Sequence, residues 1–375
     1  MNIHWKAARP LCAAIAGALM HLPAVAAPTL DIPLKAPEGF SAASIQPVGN
    51  GRYCISGNVY DDAGPSTSAR VLLVDTTNKR TLWSTAIAHG RDYADSSAVA
   101  CTAVGDAFYV VSQEQTGGAE SQNQTRVVIS RLSAQGKVER QQTIEAGFDE
   151  WFYGLDAGPA GVTVIGGTSA TAARGGPFGT FAARFDAALA PGKLTKLANG
   201  AFWTEAAARL ADTQLYVAGQ FMSNPGAGRD AYASAKIDLG SGKYVWSTYP
   251  MPDDTNSALS WFAPDGTTYT AALTPTKLAV VALDRQGKTT SSFAVQKTLC
   301  TLKAVTLDGQ TLRVAGTACS SESPGAIVSV DMRTHSASAP RVFDGRLRAL
   351  SLDGGNWLGV AKVGEQGLSL QRGDD

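Results

Sequence analysis

A short apolar phrase ending near Gly recurs along this chain. It reads Tyr53-Cys54-Ile55-Ser56-Gly57, Val162-Thr163-Val164-Ile165-Gly166, Leu215-Tyr216-Val217-Ala218-Gly219 and Leu312-Arg313-Val314-Ala315-Gly316, with looser copies starting at Phe108, Thr268 and Trp357. The seven starts are separated by 55, 54, 53, 53, 44 and 45 residues. Strand-and-turn units of that period cannot bury both faces alone and must stack on their neighbours, which is the signature of a β-propeller. The expectation is an all-β, seven-bladed propeller of four-stranded blades. The composition fits: Gly is abundant at 39 residues and charged residues make up only 17%, which suits a turn-rich sheet protein.

Each unit parses into four strands. In the fourth, they run over 205–210, 215–219, 231–238 and 244–249, with turns at 211–213 and 240–243. Apolar and small polar residues alternate along them. The third strand ends on an apolar residue followed by Asp at Asp75, Asp186, Asp238, Asp284 and Asp331. Gly-Lys follows at Gly136-Lys137, Gly192-Lys193, Gly242-Lys243 and Gly287-Lys288. Asp at the start of a turn binds the turn's amides and Gly supplies positive φ. Recurrence at one turn position assigns the Asp, Gly and Lys of the repeat to turns and away from catalysis. The last unit shows only three strands, within 346–352, 357–362 and 368–372. Thr29 to Leu34 reads as the missing fourth, so the N-terminal strand is expected to close the last blade and remove a free sheet edge.

The phrasing of the fourth unit carries a resemblance. Asp230-Ala231-Tyr232-Ala233-Ser234-Ala235-Lys236-Ile237-Asp238, then Val245-Trp246-Ser247-Thr248-Tyr249, resembles the bacterial β-propeller repeat family, with a weaker copy at Val71–Asp75 and Leu82–Thr85. The resemblance implies a propeller in an exported bacterial protein. It brings no catalytic motif, because its pattern consists of strand and turn residues.

Lys6 and Arg9 precede an apolar run from Leu11 to Val25 and the small-residue triplet Ala24-Val25-Ala26. This reads as a secretory signal peptide over 1–26, leaving a single propeller domain over 27–375 in the periplasm or outside the cell. The run is short for a bilayer span, and no later segment is apolar enough for one. Setting aside Lys6 and Arg9 from 32 basic and 32 acidic residues leaves 30 against 32, a net charge of −2. Near-neutral charge without a basic cluster argues against nucleic acid. Beyond Cys12, the chain has Cys54, Cys101, Cys300 and Cys319, an even number that suggests disulfides in an exported chain. Cys300 and Cys319 are equidistant from a turn at Gly309-Gln310, which places them across a hairpin. Cys54 and Cys101 then pair by elimination. Free buried thiols are the alternative.

Loops after the second strands are long, at 58–69, 113–125, 168–179, 220–229 and 317–324, whereas the turns between first and second strands are short. Binding loops are therefore expected on one face. The inter-blade loops of that face carry Asp95, Asp149, Glu150, Trp151, Trp203, Glu205, Asp253, Asp254, Trp261 and Asp344. These are the candidate ligand-binding ring around one channel mouth, a surface suited to a protein or carbohydrate ligand. The competing reading packs the Trp residues between blades and leaves the acids as solvated loop ends.

The mature chain has two His, His89 and His335, expected at opposite ends, which disfavours a His-ligated metal or a Ser-His-Asp triad. No cofactor is expected. Asp61-Asp62, Asp149-Glu150 and Asp253-Asp254 could bind Ca²⁺, but none has the spacing of a calcium loop. A quinone-dependent dehydrogenase, suggested by outer-strand Trp83 and Trp246, is disfavoured because only two units carry that Trp. The sequence assigns no catalytic residue. It favours a monomeric exported binding scaffold over an enzyme. The alternative is a carbohydrate-active hydrolase or lyase using paired carboxylates, Asp149 or Glu150 opposite Asp253 or Asp344.

Overall fold

The computed structural model describes residues 30–60, 66–116, 125–169, 177–202, 206–222, 231–320, 323–343, 345–353, 356–363 and 367–374. The expected signal peptide, Asp61-Asp62, Trp203, Glu205 and Asp344 lie outside the described residues. The described elements are β-strands throughout, and nearly every ladder is antiparallel. The innermost strands are Phe40–Pro47, Asp95–Val104, Asp149–Gly158, Ala207–Ala211, Ser257–Phe262, Leu299–Asp308 and Arg346–Asp353. Each touches the next, and the last touches the first, so the chain closes on itself in a ring.

The expected count of seven separate blades is corrected. Hydrogen bonding resolves five separate blades, each a sheet of four or five strands, and merges the first two repeats into one eight-stranded sheet. The join is a parallel pairing of Thr67 with Asp95. Its cause is local. The Asp95 carboxylate accepts from the Thr67 amide at 2.8 Å and hydroxyl at 3.0 Å, and Ser96 Oγ accepts from the Ala69 amide at 2.8 Å. The Cys54–Cys101 disulfide ties the same two repeats.

Closure by the N-terminal strand is a direct pairing: Leu30–Pro33 runs antiparallel to the last strand, with Leu30 opposite Arg372 and Ile32 opposite Leu370. Ile32 and Leu370 are fully buried in one cluster with Ile45, Leu72 and Val360, so the seam is sealed by a shared apolar core. The other clusters likewise span adjacent units, as where Tyr109, Val111 and Ile129 pack on Val164 and Phe181.

The glycine of the repeated phrase has a different role from the glycines of the turns. Gly57, Gly166 and Gly316 sit inside strands Arg52–Tyr60, Gly161–Ser169 and Thr311–Ala318. They pair with Ala42, Phe152 and Leu302, each next to a register shift in the innermost strand. The bulge turns the preceding carbonyl toward the second strand. A Cβ on Gly316 would stand 2.8 Å from the Thr301 carbonyl carbon, and one on Gly57 would stand 2.9 Å from that of Ser41. The same bulge faces Ser112 and Ala361 in two other units. All five are small residues; at the three glycines the bulged backbone comes too close for a Cβ, whereas Ser112 and Ala361 accommodate one.

The recurring Asp does serve turns. Asp75 binds the amides of Thr77 and Asn78, Asp186 those of Ala188 and Ala190, Asp284 those of Gln286 and Lys288, and Asp331 those of Arg333 and Thr334. Asp238 binds the Ser241 amide and hydroxyl. Of the Gly-Lys glycines, Gly136, Gly242 and Gly287 adopt positive φ, at 78°, 70° and 78°. Gly192 instead lies within strand Pro191–Asn199.

Both cysteine pairs form disulfides. Two register shifts between Leu299 and Ala304 displace Cys300 from direct opposition, and the Cys319 amide donates to the Thr298 carbonyl. The bridge is therefore diagonal, at a Cα separation of 4.9 Å.

Candidate functional site at the long-loop mouth

The acids expected at this mouth are reached at the starts of the innermost strands. Asp149 repeats the arrangement of Asp95 one unit on: its carboxylate accepts from the Thr125 amide, at 3.0 Å, at the start of the preceding unit's third strand. Two of the candidate acids thus latch one repeat to the next. Each satisfies an amide that the end of a ladder would leave without a partner.

Glu150 is 3% exposed. One of its oxygens accepts from the Ala146 amide at 3.0 Å and the Gly147 amide at 2.8 Å. Burial pushes its carboxyl up to about 7. The two amide bonds pull the other way, and the nearby Asp149 and Glu145 charges add to the rise.

Beside it lies a group the sequence reading passed over. Glu114, 1% exposed, faces Arg126 across the ladder. Arg126 reaches one Glu114 oxygen with Nε at 2.8 Å and Nη2 at 2.7 Å, and the Gly90 amide donates to the same oxygen at 3.1 Å. The guanidinium lies 4.1 Å from the centre of the Tyr93 ring, a cation–π contact. Burial raises the Tyr93 hydroxyl, and the charges of Arg126, Glu114, Glu150 and Asp149 all act on it, so these five groups form one electrostatic neighbourhood. The available sequence signal was opposite charges at matched positions on the two sides of the long loop, Glu114 before it and Arg126 after it.

The aromatic candidates separate. Trp151 is 6% exposed, and its Nε1 donates to the Phe202 carbonyl at 2.5 Å and the Tyr153 hydroxyl at 3.0 Å. Tyr153 also accepts from the Phe202 amide at 2.6 Å. Trp151 therefore joins the third and fourth units within the core. Trp261 lies near the far end of strand Ser257–Phe262, beside the short turn from Ala263 to Thr267, with its ring 6.0 Å from that of Tyr269. It is thus at the opposite end from Asp253 and Asp254, because the innermost strand runs from the long-loop mouth to the short-turn face. Asp253 and Asp254 are exposed in the loop preceding that strand.

Among the described residues, no three His, Cys, Asp or Glu side chains gather in a metal-holding group, and no helix is long and apolar enough to cross a membrane. His89 lies against the Gly90 carbonyl on the long-loop side, and His335 stacks on Phe293 at 4.1 Å.

No known protein family and no curated protein matches the sequence. Solved structures do match in shape. The crystal structure of Sqt1 from Saccharomyces cerevisiae aligns with a TM-score of 0.52 at 11% identity, over 86% of this chain and 81% of Sqt1. Puromycin hydrolase aligns with a TM-score of 0.53 at 13% identity, over 91% of this chain and 52% of the hydrolase. The fold is a β-propeller. At these identities the likeness reaches the fold and no further, and the chain spans about half of the hydrolase's length.

Proposed function

We propose that this chain is an exported β-propeller that acts as a binding scaffold, taking a protein or carbohydrate ligand on its long-loop face. One observation carries this reading: four of the described acids at the mouth are committed to the framework. Asp95 and Asp149 hold neighbouring strand ends, Glu150 holds its own approach loop, and Glu114 is neutralised by Arg126. A mouth braced in this way presents a fixed shape, and Asp253 and Asp254 are exposed in one of the loops that would meet a ligand. The two disulfides and the N-terminal leader pattern support an oxidising compartment.

The test immobilises the mature chain and challenges it with envelope extract and a glycan array. Asp253→Ala with Asp254→Ala is expected to lose a ligand that the wild type retains, at unchanged melting temperature. Equal retention by both proteins overturns the reading. A fusion of residues 1–40 to alkaline phosphatase, active only after export, tests the compartment.

A second reading has one observation in its favour. Glu150, with its carboxyl near neutrality, has the proton affinity of a general acid and supports a hydrolase or lyase. Under that reading Glu150→Gln abolishes turnover of a glycoside that the wild type cleaves. Under the scaffold reading the wild type cleaves none.

A further inference from the structure

Trp83 on strand Arg80–Ala86 and Trp246 on strand Lys243–Thr248 occupy the same place in their units. Each indole Nε1 donates to a carbonyl in the next unit's turn between third and fourth strands, Ala134 at 3.1 Å and Arg285 at 3.0 Å. Each ring covers the glycine of that turn. A Cβ on Gly136 would approach the Trp83 ring to 2.5 Å, and one on Gly287 would approach the Trp246 ring to 2.6 Å.

The two copies differ in what surrounds the ring. The residue paired with Trp83 is Leu73, 1% exposed, and the turn residue is Ala134. The residue paired with Trp246 is Lys236, and the turn residue is Arg285. There the surface opens into a groove of about 520 Å³ lined by Lys236, Val245, Trp246, Arg285 and Gln286. The first copy joins its units with apolar groups at both positions, so the joint does not require the two cations. Among the described residues, no carboxylate lines the groove. Asp265 lies close enough for its charge to act with that of Arg285, but its carboxylate is held by the Thr267 amide at 2.9 Å. Lys236 Nζ is positioned 5.3 Å over the Tyr216 ring.

We propose that this groove binds a carboxylated sugar of the uronate class. Lys236 and Arg285 hold the carboxylate, as charge-assisted contacts do. Val245 and the part of the half-buried Trp246 indole not covered by Gly287 meet the apolar C–H face of the sugar ring. Gln286, exposed on the turn, both donates to and accepts from hydroxyls. The volume falls within the range of small-molecule sites, about 300–1,000 Å³. A neutral sugar would leave two cations unused, and a simple carboxylate would leave the indole and the amide unused. The groove sits on the short-turn rim, away from the long-loop mouth, and does not depend on the scaffold reading.

The experiment titrates the mature chain with digalacturonate, using lactose and hexaglutamate as comparators, and follows Trp fluorescence and heat. Lys236→Leu with Arg285→Ala is the deciding variant, because it installs the side chains that the first copy already uses. Its digalacturonate affinity is expected to fall at least about tenfold at unchanged melting temperature, since contacts to charged groups exceed neutral ones. Gln286→Ala, on an exposed turn, is expected to weaken binding about threefold. Lactose is expected to bind at least about tenfold more weakly than digalacturonate, and added salt to weaken digalacturonate binding. Failure of the wild type to bind digalacturonate at about 10 mM, equal binding by the double variant, or tighter binding of hexaglutamate overturns the proposal.

Discussion

Replacing Gly316 by Ala tests the account of the repeated phrase. The added Cβ would meet the bulged Thr301–Leu302 backbone, 2.8 Å from a carbonyl carbon and 3.3 Å from the Leu302 Cα. The obstacle is main chain, so no rotamer change relieves it. Leu302 is itself 8% exposed and packed in the core shared with the neighbouring unit, so the innermost strand cannot simply retreat. Inserting a methyl into such a place costs about 3 kcal/mol, the upper part of the overpacking range. Restricting the unfolded chain returns about 0.4–1 kcal/mol, leaving a net loss of about 2–3 kcal/mol. Unfolding entropy of about 2.1 cal/mol/K per residue over roughly 350 residues turns that loss into a melting decrease of about 3–4 °C. Calorimetry and urea unfolding measure it. The matched control is Gly158→Ala, on an innermost strand with nothing within 4 Å of the added atom, where the expected change is within about 0.5 kcal/mol. If the two variants are equally stable, the bulge does not explain the glycine.

Glu150 makes stability depend on pH. Its folded value near 7 lies above the ordinary 4.5, so the folded state binds the proton more tightly; its stabilisation is complete below about pH 4.5 and is lost as pH rises through 7. Glu150→Gln keeps an acceptor for the Ala146 and Gly147 amides and is expected to stabilise at pH 8, by up to about 3 kcal/mol, with little change at pH 4; thermal melts across that range check it. Arg126→Met leaves the Glu114 carboxylate buried without its partner and is expected to cost about 3–5 kcal/mol, whereas adding Glu114→Leu recovers most of the loss; urea midpoints of the three variants decide. Replacing both cysteines of the Cys54–Cys101 bridge, which spans 47 residues, is expected to cost about 4 kcal/mol, against about 3 kcal/mol for the 19-residue Cys300–Cys319 span. Melting of the two double-Ala variants ranks them.

The strands were legible because their signals are local. The fourth unit's third strand, Ala231–Asp238, lies where alternation and the closing Asp put it, and the turn carboxylates bind the amides that their position implies. The bulges were not legible. A register shift is a relation between two strands, and its trace in sequence is only a small residue, which also suits a turn. The blade count failed at Thr67 and Asp95 for a similar reason: repeats can be counted along one chain, but hydrogen bonds between repeats cannot. At the mouth, sequence placed acids and aromatics at inter-blade positions without revealing what they touch. Asp149 bonded to Thr125 and an Asp149 turned toward a ligand look identical until strand ends are placed in space. Trp261 was displaced because proximity to a loop in sequence does not say at which end of a strand a side chain emerges.

The pairing of Leu30–Pro33 with the final strand sets a schedule for folding. That segment gains its partner only after Arg372 has emerged, so it must wait through synthesis of the whole ring while the intervening repeats pair locally. Contacts between residues so distant in sequence form slowly. Until they do, Ile32 and its apolar surroundings stay exposed to other chains with free edges. The seam is thus where unfinished molecules are prone to exchange strands, and where a peptide spanning Leu30 to Leu34 could hold the ring open.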